Sequence, residues 1–577
     1  MKRITLLLVA ILSLPFFSFS GGIVHNTNQS ASWVRMFARD ASTDIDAVFY
    51  NPAGLTKLGE GFFISLNSQT LFQNREITSS YSNLNNYPVD YEGSVTVPVM
   101  PSLYASYNTG KFAFSLGINI IGGGGTAEFG NGLPSFEMSV ADLVPGLSGL
   151  SAVGTAAGVD LDVTGYDLNA YLEGSSLFWG FQAGATYEIN DIFSVFLGAR
   201  YVYAKNTYDG YLKEVMVENE GSMMRADDFI NNKAIPTIDG TVANLNGIIA
   251  IPDNVAPIIT GGGGGLTVTQ AEALGYITAD QMNGIIAGLT AIGVTDPAGT
   301  TIQGASDAVN FATPTLQGNI SELETNRATL AATAQIVADQ EGDIEQTGTG
   351  ITPIIGVNIS PNDKLNIGLK YEFQTKLELE NNVAEGKGFL VGFNPDSSPK
   401  YLYEDGATFR NDLPALLTVG VDYKITDKFQ ASTGLHYYFD KNANYGYKDP
   451  LGNEMKNSDV FDANYWEWAL GLQYNISDKF LVSAGYLRAQ SGLKEEYQTD
   501  LNYKISSDTY GVGAAYSVTS MIDVNLGIAY TKYVEDSKDF EYNIAKSGMM
   551  ETVTETYNRD NFFVAIGLDF KFGRKSE

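Results

Sequence analysis

A repeated alternation of apolar and polar side chains is the feature that most constrains the fold of this chain. Each alternating segment ends in a short polar turn, and the next alternating segment begins directly after it. These turns lie at 108–110, 190–191, 361–364, 426–428, 477–479 and 518–521. Because successive side chains of a β-strand point to opposite faces, paired segments of period two predict antiparallel β-hairpins.

The length and the apolar face of these segments favour a membrane barrel over a soluble β-sandwich, which is the alternative. One face of the segment before the turn at 477–479 carries Trp466, Trp468, Leu470, Leu472, Tyr474 and Ile476. The segments run for about 10–13 residues, whereas soluble strands usually have about 5–6 and a tilted membrane strand needs about 9–11. Aromatic residues beside the turns, which indicate an interface girdle, include Tyr187, Phe193, Tyr423, Phe429, Tyr474 and Phe480.

Counting the segments predicts fourteen strands. They lie near 61–73, 95–108, 111–121, 178–189, 193–206, 350–360, 365–378, 413–425, 429–440, 464–476, 480–490, 508–517, 522–533 and 561–572. An even number places both chain ends and the short turns on the periplasmic side, and the long connections outside the cell. The predicted fold is all-β: a 14-stranded antiparallel transmembrane β-barrel over residues 61–577.

Two predicted connections, near 122–177 and 207–349, are very long. The second contains helix-like stretches near 268–289 and 318–341, and in the latter Leu323, Leu330 and Ile336 share an apolar side. The acidic residues of these connections include Glu214, Glu218, Glu220, Asp227 and Asp228. Loops of this length usually carry a function or are disordered, so lids over the barrel mouth and a disordered acidic fringe are the two interpretations.

The first 20 residues have the form of a secretory signal peptide. Two basic residues precede an apolar stretch over 4–17, and Ser18 and Ser20 supply the small residues of a cleavage site, so the mature chain begins at Gly21. An uncleaved anchor helix is the alternative, but Pro15 interrupts the apolar stretch. After this stretch no run reaches the roughly 18 apolar residues that a membrane-spanning helix needs.

Composition excludes several classes of function. The net charge of −31 argues against nucleic acid as a partner. The absence of cysteine excludes disulfides, thiolate metal sites and a lipoprotein anchor. The glycine run at 261–265 lacks the Lys-Ser/Thr that follows it in a phosphate-binding loop. The sequence therefore predicts no cofactor and no metal.

The two histidines do not predict catalysis. His25 lies next to the mature N-terminus, whereas His436 lies on an alternating strand and faces the lumen. A Ser/His or Asp/His hydrolase needs a histidine in a constellation with other groups, and a lone lumen histidine is more typical of a polar network. We therefore predict that the protein is not an enzyme.

Residues 21–60 precede the first strand and do not alternate. Unpaired backbone does not lie exposed in the hydrocarbon layer, so this segment either trails into the periplasm or folds inside the barrel as a plug. Within it, Pro52 biases Asn51 toward an extended conformation, and Ala53 and Gly54 keep the chain thin against the wall. A plain turn that leads into the first strand is the alternative.

The sequence Arg-Asp-Ala-Ser at 39–42, followed by Asn-Pro-Ala-Gly-Leu at 51–55, resembles the N-terminal hatch signature of the FadL/TodX family. This family comprises outer-membrane transporters of long-chain fatty acids and aromatic hydrocarbons. The resemblance implies a 14-strand barrel with a hatch that plugs the lumen and large extracellular loops. It assigns hatch or gating roles to Asn51, Pro52, Ala53 and Gly54.

The resemblance also implies a route for the ligand. Extracellular loops capture a hydrophobic molecule and pass it into an apolar pocket in the barrel, and a shift of the hatch with an inward kink in the third strand releases it sideways. The third strand is predicted near 111–121, with Gly117 facing inward and glycines at 122–125 after it. Glycine permits kinks and close approach, so Gly117 is the candidate kink; a flexible exit into the loop is the alternative.

The predicted function is passive uptake of hydrophobic small molecules, long-chain fatty acids or hydrocarbons, across the outer membrane of a Gram-negative cell. The predicted partners are this ligand and the outer-membrane lipid and lipopolysaccharide around a monomeric barrel. The alternative is a surface-interaction protein, an adhesin or receptor that uses the long acidic loops and has a polar interior without a plug. A barrel enzyme would instead require clustered perturbed side chains at the outer rim.

Overall fold

The structure is a computed structural model that describes His25, residues 29–449 and residues 452–572. The predicted signal peptide, with the start of the mature chain at Gly21, lies outside the described residues. The predicted hatch segment is described from residue 29 onward and at His25.

The described residues form twenty strands. In chain order they are β1 (Gly61–Ser79), β2 (Val89–Thr109), β3 (Phe112–Phe129), β4 (Gly165–Glu188), β5 (Phe193–Asn219), β6 (Ser222–Arg225), β7 (Gln340–Asn362), β8 (Leu365–Glu372), β9 (Glu378–Gly388), β10 (Leu390–Phe393), β11 (Pro399–Tyr401), β12 (Thr408–Arg410), β13 (Leu416–Lys424), β14 (Phe429–Tyr438), β15 (Trp466–Asn475), β16 (Phe480–Gln490), β17 (Ser507–Thr519), β18 (Ile522–Tyr533), β19 (Asp536–Ile544) and β20 (Met549–Phe572).

Fourteen of these strands close into an antiparallel barrel, which confirms the predicted fold class. They are β1–β5, β7, β8, β13–β18 and β20, and the barrel closes because β1 pairs with both β2 and β20. The short strands β9, β12 and β19 continue the wall above β8, β13 and β18, and β6 folds back on β5. Each of the fourteen predicted segments corresponds to one barrel strand.

Several strands extend far beyond the predicted bounds. β4 has 24 residues and β5 has 27, although about 9–11 suffice to cross the membrane. Along β5 the outward side chains are apolar up to Tyr203 and polar or charged from Lys205. The predicted strands ended where the outward face stops being apolar, and the pairing continues above the membrane. The prediction was also wrong near 373–378, where β8 ends at Glu372 and the wall resumes with β9.

The two long connections are shorter than predicted and largely helical. The first, residues 130–164, contains α3 (Pro134–Ala141), α4 (Leu143–Ser148) and α5 (Ser151–Ala157). The second, between β6 and β7, contains α6 (Ala226–Phe229), α7 (Ile235–Ile249), α8 (Ile251–Thr260), α9 (Val268–Ala273), α10 (Ala279–Ala291) and α11 (Ile302–Ile336). Leu323, Leu330 and Ile336 of α11 are buried, as expected for one apolar side.

One part of the second connection is more apolar than the sequence prediction allowed. The helical stretch Ala226–Thr260 is long and apolar enough to cross a membrane by length and composition. Its place in the chain, between the upper ends of β5 and β7, puts it with the extracellular helices rather than in the wall.

The N-terminal segment lies inside the barrel. It contains α1 (Ala31–Arg35), α2 (Ala47–Tyr50) and a 3-10 helix (Pro52–Leu58), and nearly all of its side chains from Gln29 to Leu55 are buried. The short helices suit a segment that must turn repeatedly within the lumen. A last short helix, α12 (Asn457–Val460), lies in the extracellular connection between β14 and β15. The predicted plug is thus part of the fold.

Candidate functional site

The hatch, residues 29–58, is held in its own shape by one buried arginine. The Arg39 guanidinium donates hydrogen bonds to both carboxylate oxygens of Asp46 at 2.7 and 2.8 Å and to Asp44 at 2.7 Å. It also donates to the Ser42 hydroxyl at 2.8 Å. Because Arg39 and Asp46 are both buried, the charge-assisted bonds between them are made away from water, where they are strong. The Arg-Asp-Ala-Ser part of the signature therefore builds the hatch itself.

The Asn-Pro-Ala-Gly-Leu part of the signature fixes the hatch to the barrel wall. Asn51 donates from its side-chain amide to Asn358 of β7 at 2.7 Å, and to the Ser42 carbonyl at 3.0 Å. The carbonyls of Pro52, Ala53 and Leu55 accept hydrogen bonds from wall side chains at 2.6, 2.6 and 2.7 Å. The donors are Thr186, Ser194 and Asn108.

Gly54 shows why this stretch has to be thin. A Cβ atom at this position would lie 2.5 Å from the Asn51 amide nitrogen and 2.8 Å from the Ser42 carbonyl oxygen. Both atoms belong to the hatch and both distances are far below van der Waals contact, so any larger residue would disrupt the turn that Asn51 and Ser42 form. The structure therefore brings the four predicted hatch residues together at the junction of the hatch and the wall.

A row of inward-facing glycines makes room for the hatch along much of the wall. A Cβ atom at each of them would lie between 2.0 and 2.8 Å from a hatch atom. They are Gly368, Gly420, Gly434, Gly471, Gly485, Gly511, Gly513 and Gly527. Many face each other directly across neighbouring strands, as Gly420 faces both Gly368 and Gly434. The hatch backbone therefore lies directly against the β-sheet, without a layer of side chains between them.

Charged side chains anchor the hatch to this glycine-lined part of the wall. The two ring nitrogens of His436 face Asp40 of the hatch at 2.7 Å and Glu467 of β15 at 2.8 Å. Contact with a carboxylate at each nitrogen is the geometry of a doubly protonated ring that donates twice. Arg35 of α1 donates to Asn525 at 3.1 Å and to wall side chains on β15 and β16.

A second charged group holds the other end of the hatch. Glu372 accepts hydrogen bonds from Arg200 at 2.6 and 3.0 Å and from Lys370 at 2.7 Å. The Lys370 ammonium also donates to the Phe49 carbonyl at 2.8 Å, and both cations lie 5.0 Å from the centre of the Phe49 ring. This group thus joins the hatch to β5 and β8 by a hydrogen bond and by cation–π contacts.

Above the hatch the lumen contains a cavity of about 250 Å³. Trp33 of the hatch and Phe563 of β20, whose rings stack 6.4 Å apart, lie on its inner side. The loop at 500–505 contributes further lining, and glycines 123–125 of β3 form part of its side. This is the place where a molecule that enters from outside would meet the hatch.

Two arginines give the cavity a positively charged corner. Arg559 of β20 is 3% exposed, and its guanidinium lies 4.6 and 5.0 Å from the ring centres of Tyr503 and Tyr533. Its Nε atom is buried and has no hydrogen-bond partner within the part of the chain that the structure describes. Arg75 lies directly opposite on β1 and donates to Gln73 at 2.7 Å. Among the described residues neither arginine forms an ion pair with a carboxylate.

The loops above the cavity are clamped by one carboxylate. Asp142, at the end of α3, accepts hydrogen bonds from the hydroxyls of Tyr81 and Tyr542, the second at 2.8 Å, and from the Ala545 amide at 3.0 Å. Burial raises the pKa of Asp142 above the ordinary value. Three separate extracellular connections therefore meet at this side chain.

The wall beside the cavity is broken between β2 and β3. Their pairing stops at Val95 with Ala127 and resumes only at Ser102 with Asn119. The β2 side of this gap contains Pro98 and Pro101, which have no N–H to donate. The β3 side contains the glycines at 122–125, where the register with β4 shifts twice. Both strands therefore lack the means to form a regular ladder at this point.

Gln29 lies at the lower border of the gap and links it to the hatch. Its side-chain oxygen accepts a hydrogen bond from the Ile120 amide at 3.3 Å, and its carbonyl accepts one from the Ser102 hydroxyl at 3.1 Å. Ile120 is the first β3 residue without a partner on β2. The N-terminal segment thus takes the position that β2 leaves empty.

Gly117 lies below this break, in regular register with Tyr104 on β2 and Gln182 on β4. It faces inward, because a Cβ atom there would lie 3.2 Å from Val48 of the hatch. The irregular part of β3 begins three residues later, after Ile120. The contact with the hatch is therefore the feature that the structure gives to Gly117, and a kink at this residue stays a prediction.

Sequence reasoning missed the gap, the arginine pair and the anchors of the hatch. Two signals were present: the spacing of Pro98 and Pro101 in a strand, which is unusual away from an edge, and a glycine in the middle of most strands. Arg75 and Arg559 carried no signal, because their juxtaposition follows from the pairing of the first strand with the last. Among the described residues no group of three or more His, Asp or Glu side chains is arranged to hold a metal ion.

Comparison with known proteins adds a family match and a shared fold. Residues 297–572 match the family described as outer membrane protein transport protein (OMPP1/FadL/TodX). This range covers the barrel from β7 to β20 and does not include the hatch. No curated protein matches the chain.

Solved structures of this kind of barrel cover nearly the whole chain. A FadL homologue from Pseudomonas aeruginosa has a TM-score of 0.52 at 12% identity, covering 96% of this chain and 100% of that chain. The toluene transporter TbuX from Ralstonia pickettii has a TM-score of 0.42 at 16% identity, with coverage of 92% and 94%. The first comparison shows a shared fold. Together with the family match over the C-terminal part of the barrel, it confirms the resemblance of this chain to the FadL/TodX family of outer membrane transport proteins.

Proposed function

We propose that this protein takes up a hydrophobic small molecule passively across the Gram-negative outer membrane and releases it sideways through the gap between β2 and β3. One observation carries this proposal: the cavity ends on an anchored hatch below, while the wall beside it lacks its hydrogen-bond ladder. The barrel is taken to act as a monomer in lipid and lipopolysaccharide.

The hatch opposes a straight path into the periplasm. To pass downward, a solute would have to break the buried contacts of Asp40 with His436 and of Phe49 with Lys370. Removing one partner of a buried ion pair such as Asp40 and His436 costs about 3–5 kcal/mol, and the hydrogen bond from Lys370 to the Phe49 carbonyl would be lost as well. An uncharged hydrophobic solute cannot form hydrogen bonds or ion pairs that would replace these contacts.

A sideways path through the wall requires fewer contacts to be broken. Residues 96–101 of β2 and 120–126 of β3 make no ladder pairs with each other, so their separation breaks no backbone ladder between the two strands. The outer face of the barrel at this level is apolar, as shown by Val99, which is 65% exposed. A hydrophobic solute that leaves the cavity here enters lipid and gains about 25 cal/mol per Å² of apolar surface kept from water.

The loops clamped at Asp142 are proposed to capture the solute, and the hatch to transmit its arrival. Gln29 belongs to the hatch segment and contacts both β2 and β3 at the lower border of the gap. A small movement of the hatch would therefore withdraw the substitute partner of Ile120 and loosen β3. In this scheme Asn51, Pro52, Ala53 and Gly54 hold the hinge of the hatch on the wall, and the Gly117 contact with Val48 transmits the movement to β3.

Arg75 and Arg559 favour a cargo with a carboxylate over a neutral hydrocarbon. Like charges directly opposite each other on paired strands are destabilising, and no protein carboxylate among the described residues compensates for them. A carboxylate ligand would accept charge-assisted hydrogen bonds from both guanidinium groups, and such bonds are about twice as strong as neutral ones. Among the predicted cargoes, long-chain fatty acids fit this corner and aromatic hydrocarbons do not use it.

The test of transport is uptake of radiolabelled oleate and toluene by a strain that lacks this protein. We expect slower uptake of at least one of them and recovery when the intact gene is restored. Equal uptake of both in the deletion strain and its parent would contradict the proposal. If the deletion instead changed only attachment to surfaces, the long loops would serve as an adhesin.

The test of the cargo is a pair of variants, Arg75→Gln and Arg559→Gln. Each should weaken binding of oleate to the purified barrel by at least tenfold, because a charged hydrogen bond contributes about 1.5–3 kcal/mol, and should leave toluene uptake unchanged. Arg488→Gln is the matched control, since this arginine pairs with Asp508 on the outward face of the wall. Equal oleate affinity in all three variants would contradict a carboxylate site at Arg75 and Arg559.

A further inference from the structure

Met100 fills the gap between β2 and β3. Its side chain is 5% exposed and lies directly on the β3 backbone, where a Cβ atom on Gly124 would be 2.4 Å from the Met100 methyl carbon. Met100 also lines the cavity together with Val95 and the glycines at 123–125. The thioether therefore lies between the cavity on one side and the lipid-facing surface at Val99 on the other.

Apolar packing alone closes the wall here. Met100 belongs to a buried cluster with Val95, Val97, Ile120 and Ala127, which come from the two sides of the gap. Between β15 and β16, by contrast, the neighbouring strands are joined by a regular ladder. Beside the cavity the barrier to the lipid consists of side chains.

We infer that Met100 is the gate of the lateral exit and the residue that sets the size of cargo that leaves through it. This inference rests on the proposed function, since a gate has meaning only if cargo leaves through the gap. When the Met100 side chain rotates away from Gly124, the cavity opens toward the lipid. The two strands then separate around the cargo, which passes between Pro98 to Pro101 and the glycines of β3.

Methionine suits a gate because it is unbranched and has three rotatable side-chain bonds, so it packs well in one position and moves readily to another. The backbone that carries it is fixed more firmly. Pro98 and Pro101 flank it, and β1 still pairs with Met100 through Gln69. Pro98 and Val99 form a bulge in this pairing, which aims side chains differently from a regular strand. The side chain can therefore move while its strand stays attached to β1.

Gly124 is the β3 residue against which the Met100 side chain packs when the gate is closed. Its φ is +126°, a conformation that residues with a Cβ rarely adopt. Any such residue would also occupy the volume of the Met100 methyl group. A glycine is required both for the bend of β3 and for the close approach of the thioether.

The experiment measures uptake of radiolabelled toluene and oleate in the deletion strain carrying the intact chain, Met100→Ala, Met100→Trp or Val99→Ala. Met100→Ala should open the exit and raise the uptake of the larger molecule relative to toluene by about tenfold, the scale on which a few methylenes alter selection by an apolar site. Met100→Trp should slow both. Val99→Ala is the control, since it changes the same bulge on the lipid side and should behave as the intact chain.

The outcomes of this experiment distinguish the role of Met100 as a gate from the proposed transport function. A gain of uptake in Met100→Ala cannot arise from misfolding, so this variant stays informative even if the tryptophan variant fails to fold. If the intact chain restores uptake but Met100→Ala and Val99→Ala both match it, Met100 is not the gate, although transport stands. If even the intact chain does not change uptake in the deletion strain, the proposed function fails before the gate is tested.

Discussion

Glycines have opposite effects in the wall from β13 to β18 and in the wall between β2 and β3. On the first side, glycines let the hatch backbone lie directly on an unbroken sheet, as at Gly420 beside Asp40 and Ala41. On the second side, glycines of β3 bend the strand away from β2, and the ladder is lost for six residues of β2, 96–101. The first arrangement makes a rigid support, and the second makes a weak place in the wall.

The difference shows how a plugged barrel can conduct. The hatch is held where the sheet is strongest, through His436 and Arg35, so it blocks the lumen without needing to leave it. The cavity lies beside a stretch of the barrel wall where several consecutive ladder pairs are missing between β2 and β3. A second interruption, between β7 and the segment that joins β8 to β9, does not line this cavity. The hatch and the exit touch at Gln29, which is where a change in one can reach the other.

The largest expected effect comes from removing the cation between the hatch and the rigid wall. His436→Ala leaves Asp40 facing Glu467 with no charge between them, which should cost about 3–5 kcal/mol. We expect the hatch to leave its seat while the barrel stays folded, so trypsin should cut at the otherwise buried Arg39. Arg488→Ala is the control, because its pair on the outward face contributes only about 0–1 kcal/mol. Equal protection of Arg39 in both variants would show that His436 does not hold the hatch.

A smaller effect should separate the two regions directly. Gly420→Ala places a Cβ atom 2.4 Å from the Asp40 backbone, whereas Gly117→Ala places one 3.2 Å from a Val48 methyl group. Overpacking of the first kind costs about 1–3 kcal/mol, and the second should cost less, because a side chain on β3 can shift. The measurement is the temperature at which each barrel loses its folded mobility in detergent gels. If Gly117→Ala lowers this temperature more, the hatch does not rest mainly on the β13–β18 side.

The smallest effect concerns the contact between the hatch and the gap. Gln29→Ala removes the acceptor of the Ile120 amide, a hydrogen bond with a net value of about 0.5–1.5 kcal/mol. Amide hydrogen exchange over 120–126 should quicken by up to about tenfold in this variant, while amides of β15 should not change. Unchanged exchange over 120–126 would mean that the hatch does not stabilise the border of the gap.

The sequence was most informative about the part of the molecule that touches lipid. Lipid requires an apolar outward face over a fixed length, so all fourteen crossing segments could be found from period and turns, including β20 with Phe562 and Phe570. Above the membrane this requirement ends, and the upper halves of β4 and β5 were not recognised. Helices were predicted near α10 and α11, but the break after Glu372 was not, because a side-chain period does not show where a ladder is interrupted.

The site was less predictable, because it is built from long-range pairings. The hatch motif identified Asn51 to Gly54, yet their partners Asn358 and Thr186 lie far away in the chain. Arg75 and Arg559 are 484 residues apart and meet only because the barrel closes. The acidic loops that the sequence shows therefore give no sign of the two arginines in the cavity beneath them.

The central claim, that cargo leaves through the wall between β2 and β3, is tested most directly by closing that gap reversibly. A Cβ atom on Gly125 would lie 3.9 Å from the Val95 Cβ, which suits a disulfide with its usual Cβ separation of about 3.5–4.5 Å, and the chain has no other cysteine. The measurement is uptake by the deletion strain carrying Val95→Cys with Gly125→Cys, before and after reduction, with each single variant as control. The account predicts little uptake in the oxidised form and recovery on reduction. Equal uptake in both states would contradict it.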